Sequence, residues 1–248
     1  VRLKIVRSTV RSRPQPLLLL NCSVSNYSNG VQMSACIIAF GELGNSARLS
    51  LLSLLNLELK RICVVADETG KNWIERNVGI QNRDFFCFHN PIESEANTFD
   101  LNSRFTYSNF GEDRFIRITT QKWVSIAEAL KHPDITSTLF SDLDVFWTPY
   151  ASTELEKVST EFENVTVLVQ NDPKSSNYSL PYYCTGIMLW RRNNKSFEYL
   201  DTLLTMQLSD FKSNRLTPDE PIFNRFAATK SNDEIALLNK DKFIIGNR

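Results

Sequence analysis

The sequence predicts an α/β fold in which one mixed, mostly parallel sheet carries helices on both faces. Three observations predict it. Short apolar runs rich in Val, Ile and Phe alternate with stretches whose apolar residues recur at helical spacing. From Met33 to Phe88 that alternation keeps a strand–helix–strand order, the rhythm of parallel strands joined by helical crossovers. No repeat, low-complexity block or linker interrupts the 248 residues, so one sizeable core is the simpler account.

Residues 1–30 read as a basic N-terminal arm, with Arg2, Lys4, Arg7, Arg11 and Arg13 and no acid in the first 13 positions. Residues 31–248 read as a single domain. Met33 to Phe40 is a first buried strand closed by Gly41, and Ala47 to Leu59 is a Leu-rich helix. Ile62 to Ala66 is a second strand ending at Asp67. Trp73 to Val78 is a short helix, and Asp84 to Phe88 a third strand. Residues 89–118 form an irregular connection. Thr120 to Leu130 is a helix with Trp123, Ile126, Ala127 and Leu130 on one face, ending at His132-Pro133. Thr138 to Phe140 enters a strand, Val165 to Val169 is another, and Tyr182 to Trp190 a third, interrupted by Thr185-Gly186. Phe197 to Leu208 is helical. Thr217-Pro218-Asp219-Glu220 starts a last helix, with Thr as cap, Pro at the first helical position and acids in the first turn.

Composition narrows the function. The chain has 28 basic and 28 acidic side chains and no net charge, which removes the electrostatic warrant for a nucleic-acid partner. Leu17 to Leu20 is far shorter than the roughly 20 apolar residues that cross a bilayer, although a chain starting at Val1 leaves room for an upstream anchor. Cys22, Cys36, Cys63, Cys87 and Cys184 are scattered, without the spacing of a zinc knuckle. Cys36, Cys63 and Cys87 read as buried free thiols, and His89 and His132 are too few for a His-rich zinc site. Glycosylation acceptor patterns at Asn21, Asn26, Asn164, Asn177 and Asn194 are about as many as chance supplies in so Asn- and Ser-rich a chain. The compartment stays open between a Golgi lumen and the cytoplasm.

The chemistry centres on Asp142 and Asp144 in Leu139-Phe140-Ser141-Asp142-Leu143-Asp144-Val145-Phe146-Trp147. If the backbone is extended there, both carboxylates share one face and Leu143 points into the core. Two acids so placed repel unless a cation neutralises them, and hard oxygen ligands suit Mg²⁺ or Mn²⁺. Such an ion can also neutralise a diphosphate leaving group. The plain alternative is a pair of turn or capping residues.

This segment resembles the Asp-x-Asp motif of nucleotide-diphospho-sugar transferases with the GT-A fold, nearest the family that groups rhamnogalacturonan xylosyltransferases. Two further segments agree in order. Cys184-Thr185-Gly186-Ile187-Met188-Leu189-Trp190-Arg191 is similar to the family's Asn-Thr-Gly strand, and Asp219-Glu220-Pro221-Ile222-Phe223-Asn224 to its Asp-Gln-x-x-Phe-Asn helix start. Lys122, beside Trp123, matches a basic position. The likeness spans residues 117–227.

The resemblance implies a transferase that moves a sugar from a nucleotide donor, UDP-linked with xylose or galactose favoured, to a glycan or glycoside hydroxyl. It implies Asp142 near donor ribose and metal, Asp144 as direct metal ligand, and Leu143 between them at the donor. Thr185 and Gly186 would line the floor, and Asp219 would stand beside the transferred sugar. The loops after the first two strands, with Phe40, Gly41 and Asp67, would hold the base. Three departures stand out: Cys184 replaces Asn, Glu220 replaces Gln, and no histidine follows His132 to serve as a late metal ligand.

The acceptor side needs a carboxylate, either as base within hydrogen-bond reach or as stabiliser of a cationic sugar. Asp219 and Asp172 are the candidates, and Lys122, Arg191 and Arg192 are candidates to assist the leaving group. Tyr182, Tyr183, Trp147 and Tyr150 suit acceptor binding. A sugar nucleotidyltransferase is disfavoured because Gly41-Glu42-Leu43-Gly44 lacks the Gly-rich loop with a following cation. An inactive, transferase-like interaction domain is opposed by the intact aspartate pair, and a hydrolase would turn over without any acceptor.

Overall fold

The computed structural model describes residues 32–78, 85–91, 113–171, 182–213, 215 and 217–238. The basic arm, Asp84, Asp172, Cys22 and the acceptor asparagines Asn21, Asn26 and Asn177 lie outside them. In chain order the elements are β1 (Met33–Ala39), α1 (Asn45–Leu54), β2 (Ile62–Ala66), α2 (Glu68–Val78), β3 (Phe86–His89), α3 (Asp113–Lys131) and β4 (Ser137–Ser141). They continue with α4 (Ala151–Glu161), β5 (Val167–Asn171), β6 (Tyr183–Arg191), α5 (Asn194–Lys212), α6 (Asp219–Ala227) and β7 (Ile235–Leu237).

The strands form one seven-stranded sheet in the order β3-β2-β1-β4-β6-β5-β7. β3, β2, β1 and β4 run parallel, β6 is antiparallel to both β4 and β5, and β7 is parallel to β5. The chain winds outward from β1 to β3 and then returns to β4 on the other side of β1. Strand order therefore reverses between β1 and β4, and at such a switch point the loops beyond the strand ends diverge and leave a crevice.

Strand side chains divide between two layers because successive residues point to opposite faces. Ala35, Ile37, Ile62, Val64, Leu139 and Leu189 meet α1, α2 and α4 through Leu51, Leu54, Trp73, Ile74 and Leu155. On the other face Cys36, Cys63, Phe140, Val167, Met188 and Trp190 meet α3, α5 and α6 through Trp123, Ile126, Leu130, Leu203, Phe223 and Phe226. Both faces are covered, which is why β2 reads as the unbroken run Ile-Cys-Val-Val-Ala, buried throughout.

Several boundaries differ from expectation, each for a physical reason. The helix expected from Thr120 starts at Asp113. Its buried stripe continues through Ile116, Thr119 and Thr120, and both threonine hydroxyls donate to the Ile116 carbonyl, so polar residues sit on a buried face. Thr217 does not cap α6. Pro218 holds that position, while the Thr217 hydroxyl donates to Asp210 Oδ2 at 2.7 Å. The extended course expected through Asp142–Asp144 is also corrected. β4 ends at Ser141, and the Val145 N–H donates to the Asp142 carbonyl, closing a turn. Leu143 still packs on the core from within it.

Candidate functional site

Four elements converge on a buried ammonium. Lys122 lies mid-way along α3, 3 % exposed. Its Nζ donates to the Thr185 carbonyl at 3.0 Å, to Thr185 Oγ1 at 3.2 Å and to Asp219 Oδ2 at 2.5 Å, which uses all three of its protons. Asp142 Oδ1 stands 3.6 Å away, and Nζ also lies 4.6 Å from the centre of the Phe140 ring. The Thr185 hydroxyl donates to the same Asp219 oxygen at 2.5 Å. Burial pulls the ammonium pKa down, but the charges of Asp142 and Asp219 and the bond to Asp219 outweigh it and hold Lys122 above its ordinary range. A buried amine thus stays charged because two carboxylates compensate it.

Local structure fixes this arrangement. β6 runs antiparallel to β4, so Ile187 faces Ser141, and the Asp142 N–H continues the ladder to the Gly186 carbonyl at 2.9 Å. A Cβ on Gly186 would lie 3.0 Å from Asp142 Oδ2, so this glycine makes room for the carboxylate. Asp219 is set by α6, which is clamped to β6. The Asn224 side chain accepts from the Tyr183 N–H at 2.8 Å and donates to the Tyr183 carbonyl at 2.9 Å. Phe223 stacks on Trp123 and meets Tyr183 edge-on. Beside them, burial and the charges of Glu220 and Asp142 push the Cys184 thiol up to about 12, so it remains protonated at neutral pH.

At the switch point, Asp142 is half-buried and Asp144 exposed. Across the crevice, Gly41 turns the chain after β1 with φ 72°, a conformation glycine adopts freely. Both Asp67 oxygens accept from the Gly41 N–H, at 3.0 and 3.1 Å, and Oδ1 also accepts from the Gly70 N–H at 2.7 Å. Phe40 is buried against Val65 and Val124. The structure therefore brings Lys122, Asp142, Thr185, Gly186 and Asp219 together, sets Leu143 and Asp144 beside them, and places Phe40, Gly41 and Asp67 on the neighbouring loop.

Other candidates fall elsewhere. Arg191 pairs with Ser137 at the far end of β4 from Asp142 and donates to the Phe162 carbonyl. Arg192 donates to the Leu130 carbonyl at the end of α3. Neither reaches the crevice. Trp147 is a core residue whose indole N–H donates to Ser141 Oγ at 3.0 Å, and Tyr183 is buried, whereas Phe146 and Tyr150 are 40 % and 74 % exposed. The burial of Lys122 has a sequence signal: it stands three residues after Thr119 and four before Ile126, on the buried stripe of α3.

An open α/β sheet with carboxylates at its switch point and an antiparallel strand beside them is the frame of a GT-A glycosyltransferase. The sequence profile of the nucleotide-diphospho-sugar transferases matches residues 80–246, and the chain belongs to that family. Mouse xyloside xylosyltransferase 1, in its apo form, superposes with a TM-score of 0.52 at 13% identity, over 85% of this chain and 86% of that one. The galactosyltransferase LgtC, solved with donor and acceptor sugar analogues, gives 0.52 at 15% identity over 84% and 74%. GlyE of Streptococcus pneumoniae TIGR4 gives 0.51 at 12% identity over 86% and 46%. Among curated proteins nothing matches. At such identities the superpositions establish the fold, and the family rests on the profile.

Proposed function

We propose that the chain transfers a sugar from a UDP-linked donor to a hydroxyl of a glycan acceptor in the crevice between β1 and β4, with Mn²⁺ or Mg²⁺ held by Asp142 and Asp144. The observation that carries this reading is the buried Lys122–Asp219–Thr185 cluster, which opens through Asp142 onto the exposed Asp144.

The donor set fits a hard divalent ion. Asp144 offers an exposed carboxylate, and Asp142 faces Lys122 with one oxygen only, which suits Asp144 as the principal ligand. Among the described residues no His, Cys or further acid joins these two at ligand spacing; donor phosphates and water, or a late Asp or Asn, would complete the shell. When bound, the ion supplies positive charge to a departing diphosphate.

The protein's own residues do the rest. Lys122 holds the half-buried Asp142 and the buried Asp219 in fixed positions. Among the described residues both donors to Asp219 reach Oδ2, which suits Oδ1 to the sugar or to an acceptor hydroxyl. A carboxylate oriented before substrate arrives needs no reorganisation as charge develops. Gly186 keeps the floor low enough for Asp142 and the donor to share it. Xylose and galactose are the favoured donors, and the exposed rings of Phe146 and Tyr150, which follow Asp144 in the chain, suit the C–H face of an acceptor sugar.

Calorimetric titration of a panel of nucleotide sugars, with Mn²⁺ and with chelator, tests this on the wild type and Asp144→Ala. One donor should bind with metal and fail in chelator and in the variant. Equal binding in chelator would remove the metal from the proposal, and no binding of any donor would favour an inactive domain.

A further inference from the structure

The edge of the sheet opposite the crevice gathers residues that the transfer reaction does not use. Cys36, Cys63 and Cys87 are direct register partners on β1, β2 and β3, so the three thiols stand in file on one face of the parallel strands. Cys36 and Cys63 are buried and Cys87 is half-buried. His132, just beyond α3, closes over this file, and ligand atoms of Cys63, Cys87 and His132 all lie within 4.8 Å of one another. We propose that these three residues bind a borderline-soft divalent ion, Zn²⁺ first, at a site separate from Asp142 and Asp144.

The chemistry of the set supports this. Two thiols and an imidazole are the donors Zn²⁺ selects, at about 2.3 Å for sulfur and 2.0–2.1 Å for nitrogen. Tetrahedral ligands at those lengths stand roughly 3.5 Å apart, so the cluster has to contract by about an ångström. Contraction is feasible because β3 is the edge strand. His132 is already neutral: Arg61 donates to its Nδ1 at 2.9 Å, so that nitrogen carries a lone pair. A metal taking this lone pair displaces one arm of Arg61, which keeps Asp134 as partner at 2.6 Å. The Nε2 atoms of His132 and His89 are buried with no hydrogen-bond partner among the described residues. With its lone pair at Nδ1, His132 carries the proton on Nε2 and binds through the other nitrogen, whereas the unpaired buried Nε2 of His89 calls for a partner, which a metal would supply. The His89 ring centre is 6.3 Å from that of His132, so His89 or a water fills the fourth position. On binding, each thiol releases its proton to water as its sulfur bonds the metal. The ion would tie the edge strands β2 and β3 to the end of α3.

Co²⁺ added to the reduced, chelator-treated full chain reads this directly. One equivalent should give a thiolate-to-cobalt charge-transfer band with tetrahedral d–d bands, and Zn²⁺ should bleach both. Asp144→Ala should retain the bands. Cys87→Ser should abolish the charge transfer in full or large part, and His132→Gln should weaken binding by more than the roughly 10- to 100-fold that outer-shell changes cost. If the variants fail to fold, alkylation of Cys87 in the wild type decides, because Zn²⁺ should protect it. No thiolate band, a band unchanged in Cys87→Ser, or Cys87 labelled equally fast with and without Zn²⁺ overturns the site.

Discussion

Asp67 and Asp219 are buried carboxylates on either side of the switch point, 7 % and 5 % exposed, yet they are held in opposite ways. Among the described residues Asp67 accepts from backbone, the N–H groups of Gly41 and Gly70, and a Cβ on Gly70 would lie 2.1 Å from the Ala39 carbonyl oxygen. It fastens the loop after β1 to the start of α2. Among the described residues Asp219 accepts from side chains, Lys122 and Thr185. Backbone donors cannot leave without unmaking the loop. Side-chain donors can exchange partners with a substrate, which suits the Lys122 side to the chemistry proposed above and the Asp67 side to a fixed wall.

The strongest challenge to that contrast is Lys122→Met. It leaves a buried carboxylate without its cation and should lower stability by about 3–5 kcal/mol in denaturant melts. Lys122→Met combined with Asp219→Leu should recover most of this while sugar transfer stays absent. A single variant as stable as wild type would show that the cluster compensates nothing. Asp144→Ala is next: transfer should drop by on the order of 10²–10³-fold, the scale of losing one preorganised electrostatic group. Because Asp144 is exposed, its melting curve should hardly move.

Asp67→Ala should do the reverse, costing about 1–3 kcal/mol of stability by stranding buried N–H groups. Any fall in donor affinity should shrink under conditions that restore the fold. Gly186→Ala forces Asp142 aside by a few tenths of an ångström. Transfer should slow by roughly tenfold with little loss of stability, since small misplacements of reacting groups cost rate. The smallest effect belongs to Trp147→Phe, which removes the bond to Ser141 and should cost about 1 kcal/mol without touching the rate at saturating donor.

Much of this was legible in the sequence, unevenly. β2 matches its expected bounds because a strand covered on both faces is an unbroken apolar run. α4 was missed since Ala151, Leu155 and Val158 are its only buried apolar residues among Ser, Thr, Glu and Lys. β7 was missed because it is three residues long. Asp142, Asp144, Thr185, Gly186 and Asp219 came from short motifs whose spacing survives in one dimension. The cysteine file did not, because its members meet only through the register of parallel strands. Lys122 is a candidate from the sequence, and its helical spacing signals burial, but a lysine inside a helix still reads as a solvated charge until the partners on β6 and α6 are known.

Those partners arrive late. Asp219 follows Lys122 by 97 positions, so during synthesis α3 and β4 emerge well before α6 exists. Until α6 docks, closing that face of the sheet would bury an ammonium with Asp142 alone beside it, a desolvation cost of several kcal/mol. The face should therefore stay open and wet in partly made chains and shut only when the last helix seats through Asn224. A buried charge whose partners come late would then hold assembly back, and a chain truncated before Asp219 should not reach a closed, native-like core.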